Sequence, residues 1–184
     1  MRERARKSYE QVLAMSPKNL QALTGLARLY ATTGDQGETV TAYQRAIEAA
    51  PKDAELRYEL GMYHARNKEW DAAIAVLQAA RDLEPKNHKF DKTLGFTLAR
   101  CGRWDESLAC FQAAGMTDAE AHLKLARMLH HLQHDELARQ HLELAQDQSR
   151  NEQDLREARE LQGQLDGEDS NAVGTSNESL DLEP

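Results

Sequence analysis

Small and bulky apolar positions return along this chain at a fixed spacing. The dipeptides Leu26-Ala27, Leu60-Gly61 and Leu94-Gly95 stand 34 residues apart, and Leu125-Ala126 follows after 31. Counting on from Gly61, a small residue comes at twelve (Ala73), a bulky one at sixteen (Leu77), a small one at nineteen (Ala80) and a proline at twenty-four (Pro85). The same offsets from Ala27 give Thr39, Tyr43, Ala46 and Pro51, and from Gly95 they give Ser107, Phe111, Ala114 and, in place of proline, Ala119. From Ala126 they give Ala138, Leu142 and Ala145, so the three missing residues are expected between units and not inside one. A fixed period of this size marks a repeat array.

Each unit reads as a pair of helices. Two antiparallel helices approach closely only where the crossing side chains are tiny, which accounts for Gly61 and Gly95 opposite Ala73 and Ser107. The second helix is expected to stop near the proline, whose ring cannot continue the hydrogen-bond ladder and which pushes the preceding residue out of the helical region. Trp70-Asp71 and Trp104-Asp105 fall where second helices begin. The carboxylates suit the positive end of the helix dipole, and the Trp residues are read as packing.

This order of large, small and proline positions resembles the tetratricopeptide repeats, over roughly residues 1–150. The resemblance implies an all-α fold, a right-handed α-solenoid of helix-turn-helix repeats without catalytic activity. Expected repeats are 20–53, 54–87, 88–118 and 119–150, inside an array running from 1 to 165. A half repeat at 1–18 precedes them, a capping helix at 151–165 closes them, and a disordered acidic tail occupies 166–184. Departures from the family pattern are Val12 and Thr39 in place of alanine, and Arg57, Asp91 and His122 where a bulky apolar residue is common. The Trp-Asp style and the shortened last junction are similar to bacterial scaffolds of pilus assembly and cell-envelope systems.

The two ends differ. Ala5, Tyr9, Val12 and Pro17 match the second helix of a unit whose first helix is absent, leaving an apolar stripe without a partner on one side. Either that helix is a cap, or the chain is cut from a longer protein. At the other end Leu155, Ala158, Leu161 or Gln162, and Leu165 share one side of a helix, while Arg156 and Arg159 occupy places that would be apolar in a further repeat. A polar outer face of this kind ends an array.

Charge follows the same division. The chain carries 23 basic and 31 acidic residues, a formal charge of −8, over 184 residues that suit one domain. Six carboxylates (Asp166, Glu168, Asp169, Glu178, Asp181, Glu183) lie in the tail with no Lys or Arg, so the remainder has 25 acids against 23 bases and a charge near −2. Such a tail buries too little to order itself. No apolar run reaches membrane-span length, and the basic start lacks the apolar core of a signal peptide, which places the chain as it stands in the cytoplasm, or at the envelope if an upstream signal is missing. Cys101 and Cys110 have neither metal nor disulfide spacing. Asn177-Glu178-Ser179 fits a glycosylation sequon that the absence of a signal makes fortuitous.

Nothing in the chain matches a catalytic constellation, a phosphate-cradling loop or a cofactor motif, so no enzyme and no cofactor is expected. The family resemblance implies a concave groove lined by first helices. The residues pointing away from the second helices are Gln21, Thr24, Arg28 and Thr32; Glu55, Tyr58, Met62 and Arg66; Lys89, Lys92, Phe96 and Arg100; and Glu120, Leu123, Arg127 and His131. The candidate peptide-binding set is Arg28, Tyr58, Met62, Arg66, Lys92, Phe96, Arg100 and Arg127. Arginine forks suit carboxylates and aromatic surface suits peptide side chains, which points to an acidic segment of a protein partner, or to the chain's own tail folded back. The competing reading is a merely solvated face rich in good helix formers. The Lys and Asn clamp by which some family members grip a terminal carboxylate is not matched, because its places hold Thr24, Arg28, Tyr58 and Met62.

Among the histidines, His130 and His134 have the four-residue spacing that can place two imidazoles on one helix face, but no third ligand is evident and no metal is expected. Nucleic-acid binding is disfavoured by the acidic balance. The functional reading is a non-catalytic interaction scaffold; the alternative is a regulatory or assembly fragment of a larger enzyme or envelope machine, motivated by the unpartnered first stripe.

Overall fold

The computed structural model describes residues 2–175, with side chains to residue 167. Among the described residues there are ten helices and no strands: α1 (Arg2–Met15), α2 (Leu20–Thr33), α3 (Gln36–Ala49), α4 (Ala54–Arg66), α5 (Trp70–Leu83), α6 (His88–Arg100), α7 (Trp104–Ala113), α8 (Asp118–His131), α9 (Asp135–Gln148) and α10 (Glu152–Thr175). The chain forms two compact units, Met1–Thr97 and Leu98–Pro184, with the division inside α6.

The ruler read from the sequence is visible in burial. Its small positions Thr39, Ala73, Ser107 and Ala138 and its bulky positions Tyr43, Leu77, Phe111 and Leu142 are all buried. In the first unit Gly61 sits directly against α5: a Cβ there would stand 2.7 Å from Leu77 Cγ and 3.4 Å from the Ala73 carbonyl oxygen. Helix ends obey local chemistry. Asn19, Asp35 and Asp53 each accept a hydrogen bond from a first-turn backbone N–H of α2, α3 and α4, satisfying donors that have no partner within the helix. α1, α3 and α5 stop two residues before Pro17, Pro51 and Pro85.

The turn between the helices of each repeat has its own periodic signature. Gly34 and Gly102 adopt left-handed backbone, φ 81° and 80°, and the matching places in the other two repeats, Lys68 and Gln133, do so too at φ 62° and 63°. Residues with a side chain pay for this conformation in steric strain that glycine avoids.

Three expectations are corrected. The residues missing before the last repeat are taken from inside α7, which has ten residues where α3 and α5 have fourteen. The connection is unchanged at four residues, 84–87 after α5 and 114–117 after α7, because Gly115 at φ 84° and the Thr117 cap need that length to reverse the chain. Secondly, the α1 stripe is partly covered: Tyr9 packs on Gly25 of α2, where a Cβ would lie within 2.8 Å of two ring carbons and the hydroxyl oxygen of the tyrosine. Val12 nevertheless remains 40% exposed and Met15 90%. Thirdly, α10 continues to Thr175, past the expected end at 165. The segment beyond Leu165 contains no proline before Pro184 to stop it; residues 176–184, with the sequon, lie outside the described residues.

In the second unit, α10 packs on both α8 and α9. Ala158, Leu161 and Leu165 join Leu123, Leu125, Ala126, Leu129, Ala138, Leu142 and Ala145 in one apolar cluster. Each large side chain removed from water there is worth about 1.5–3 kcal/mol, so α10 belongs to the core of that unit.

Candidate functional site

First helices α2 and α4 place four of the expected groove residues around one concavity of about 360 Å³ in the first unit: Arg28, Tyr58, Met62 and Arg66, with Ala31, Thr32, Tyr43 and Glu59 completing the wall. Residues three and four apart on α4 share a face, which is why Tyr58, Met62 and Arg66 come together. The floor is supplied by Tyr43 of α3.

Glu59 organises the site. Arg28 donates to it through both Nε, at 2.9 Å, and Nη2, and the Tyr43 hydroxyl donates to Glu59 Oε2 at 3.1 Å. Burial acts to raise the Glu59 pKa, but the hydrogen bonds from Arg28 and Tyr43 outweigh it and hold the carboxyl below its ordinary value. Burial, followed by the neighbouring Glu59 charge, pushes the Tyr43 hydroxyl well up. At neutral pH the group is therefore an ion pair with a phenol donor, and Arg28 is held by a fork-to-carboxylate contact. Arg66 is exposed and has no ion pair or hydrogen bond among the described residues.

Two further members of the expected set, Lys92 and Phe96 on α6, are exposed on the first unit but do not line this concavity. Next to it, Lys89 bridges to Glu55 at 2.8 Å and lies 3.8 Å over the Tyr58 ring, which is tilted against Phe90 at 5.4 Å. The cation thus fixes Tyr58 from one side.

Arg100 and Arg127 belong to the second unit. Arg100 is exposed, whereas Arg127 pairs with Glu157 of α10 at 3.1 Å. Leu123, expected on the open face, is only 5% exposed within the cluster that α10 closes. Glu120 also turns away from that face: its side chain accepts from the Thr117 N–H at 2.7 Å in a capping box. Covering by α10 is the physical reason the last first-helix face is core.

Glu59 was not among the expected residues. Its signal in the sequence is an opposite charge 31 residues after Arg28, one helical turn short of the repeat; the pairs Glu55–Lys89, 34 apart, and Arg127–Glu157, 30 apart, have the same character.

The His130 and His134 spacing does not produce a shared face. α8 ends at His131, His134 caps α9 and stands edge-on to Trp104 at 5.4 Å, and His130 Nδ1 is 2.8 Å from Asp135 Oδ1. No group of three His, Cys, Asp or Glu side chains among the described residues is arranged to hold a metal. Instead His122 and His141 meet, Nδ1 to Nδ1 at 2.9 Å with ring centroids 5.1 Å apart. The difference is close to two centre-to-nitrogen distances, so the two nitrogens lie near the line joining the rings, the geometry of an N–H···N hydrogen bond between neutral imidazoles. Burial lowers both pKa values; the neighbouring His122 lowers that of His141 further, while Asp118 beside His122 and Asp105 beside His141 act in the opposite direction.

The arrangement defines a helical-hairpin repeat protein with a polar and aromatic concavity on its first helices. Two tetratricopeptide-repeat family models match it, at residues 2–58 and 38–88, so this stretch is built of tetratricopeptide repeats. No curated protein sequence matches significantly. Among solved structures it is similar to the crystal structure of MamA, 20% identical over 77% of this chain and 85% of that one with a TM-score of 0.60. It is also similar to YrrB, described as a tetratricopeptide-repeat protein with an unusual peptide-binding site, 23% identical over 86% and 84% with a TM-score of 0.61. A MamA fragment from Desulfovibrio magneticus RS-1 is 23% identical over 61% and 64% with a TM-score of 0.55. At these identities the likeness is one of fold. Among the described residues no helix is long and apolar enough to cross a membrane.

Proposed function

We propose that this protein is a non-catalytic interaction module that holds an extended, acid-bearing segment of a protein partner on the α2 and α4 face of its first unit. The observation that carries this reading is the unpaired Arg66 beside Tyr58 and Met62 in the concavity. Charge selects the carboxylate, and the half-buried aromatic and thioether surface takes a neighbouring apolar side chain. The peptide-binding site named for YrrB is a parallel in the same fold. Of the other cations in the expected set, Lys92 adds to the acid preference of the first unit, while Arg28 and Arg127 are already paired.

Selection of a random peptide display library on the purified chain tests this. The expected result is an enriched family combining an acidic and an apolar residue, lost in Arg66→Glu with helicity unchanged by circular dichroism. Capture that survives Arg66→Glu sinks the reading. Truncation before residue 176 tests the chain's own acidic segment as a competing occupant: peptide affinity rises if that segment binds the face and stays constant if it does not.

An assembly role within a larger machine is the second reading, favoured by the exposed Val12, Met15 and Leu20 on the first unit. Met15→Lys with Val12→Lys would leave complex size unchanged in native sedimentation if that surface is idle.

A further inference from the structure

We propose that Glu59 sets the specificity of the first-unit concavity by cancelling Arg28, so that the site reads one carboxylate and not two. The inference rests on the peptide-binding reading above and adds to it the number of acids recognised.

Two arginines line the concavity, yet they are not equivalent. Both oxygens of Glu59 are used: Oε1 takes Arg28 Nη2, and Oε2 takes Arg28 Nε at 2.9 Å and the Tyr43 hydroxyl at 3.1 Å. Only 18% of the Glu59 side chain is exposed, against 61% for Arg28. A ligand carboxylate arriving at Arg28 finds the Glu59 charge alongside, and repulsion offsets the attraction.

Displacement of Glu59 is also disfavoured. The residue is tethered, so it competes at high effective concentration. Expelled from Arg28, it would remain as a largely buried carboxylate with only the Tyr43 hydroxyl, and stripping a partner from such a charge is costly. Arg66 makes no hydrogen bond or ion pair among the described residues, so its guanidinium has no carboxylate of its own to displace when an acid arrives. Glu59 is a positioning residue in this scheme: it acts through Arg28 and touches no ligand.

The test repeats the display selection with wild type, Glu59→Gln and Arg28→Gln, followed by titration of synthetic peptides bearing one or two acidic residues drawn from the enriched family. Gln keeps the shape and an acceptor for Arg28 but removes the charge. Glu59→Gln should enrich peptides with a second acid and bind the two-acid peptide roughly twofold to fivefold more tightly than wild type, the size of a solvent-exposed ion pair, with the one-acid peptide unchanged. Arg28→Gln, which leaves Glu59 uncompensated beside Arg66, should weaken the one-acid peptide. The same acid count in wild type and Glu59→Gln, with capture still dependent on Arg66, overturns this proposal and leaves the peptide-binding reading standing. Enrichment independent of Arg66 overturns both.

Discussion

The first helices of the two units meet different fates although they are built on the same repeat. In the first unit Arg28 is neutralised by a residue of the next first helix, Glu59, and the surface around it stays open with Arg66 unpaired. In the second unit the equivalent face of α8 lies under α10: Leu123 is buried and Arg127 is bridged to Glu157. The lesson is that a repeat position carries no role of its own. Whether it recognises a ligand or packs a core depends on what the next helix lays over it.

A single position shows this most directly. Leu23, Arg57, Asp91 and His122 occupy the same place in successive repeats. Leu23 is buried core; Arg57 turns its guanidinium to the Asp53 carbonyl at 3.2 Å; Asp91 is buried with Arg81 no nearer than 4.0 Å; His122 meets His141. Three of the four carry polar groups that must find local partners, and each finds a different one.

The strongest way to break the contrast is to strip the cap from the second unit. Leu161→Ala in α10 should cost about 2–5 kcal/mol, the range for emptying a filled core site. Hydrogen exchange should then speed up in α8 and α10 while the helices of the first unit keep their protection. Uniform loss across the chain would mean the units do not unfold separately.

Gly61→Val attacks the first unit instead. Its Cβ would press on Leu77, which is fully buried and cannot swing away, so a loss of about 1–3 kcal/mol is expected in denaturant unfolding. The matching residues Ala27 and Ala126 already carry a Cβ and are buried without difficulty, so the effect reports the closeness of α4 to α5 in particular.

Turns sharpen the comparison at smaller scale. Lys68→Gly and Gln133→Gly should each stabilise their own unit by about 1 kcal/mol, by relieving left-handed strain that Gly34 and Gly102 do not have. The greater chain entropy of glycine when unfolded reduces this gain. Melting temperatures of the two variants check it.

The smallest effect is a difference in pH response. Burial lowers the pKa of His122 and His141, so the folded second unit resists protons that the unfolded chain accepts. Its stability is full above the unfolded histidine value of about 6.5 and is lost as pH falls below it. Asp91 behaves oppositely, since burial raises its pKa above the ordinary aspartate value despite Arg81 and His88. The penalty of its buried charge is relieved as pH falls toward that raised value. Mild acid should thus loosen the second unit first, and His122→Leu with His141→Leu should flatten its pH dependence. Exchange rates of α9 amides that ignore pH would contradict this assignment.

Much of this was legible beforehand. The buried small and bulky positions from Thr39 to Leu142 follow from periodicity alone, since a side chain facing a neighbouring helix must suit the gap in every unit. So did the meeting of Arg28, Tyr58, Met62 and Arg66, which share one helical face per repeat. The pairing of Arg28 with Glu59 was not legible, because it links places one turn out of register, and the His122–His141 contact joins two helices through residues 19 apart. The left-handed turns at Lys68 and Gln133 carry no glycine to announce them.

The sequence by itself determined the hairpins and the small and bulky positions that pack between their helices, because those depend on spacing and on local backbone chemistry. Only the tertiary structure decided which cations are free. That depends on which carboxylate the next helix brings within hydrogen-bond reach, a matter of a few ångströms that no repeat period encodes: Glu59 reaches Arg28, Glu157 reaches Arg127, and Arg66 has no ion pair among the described residues.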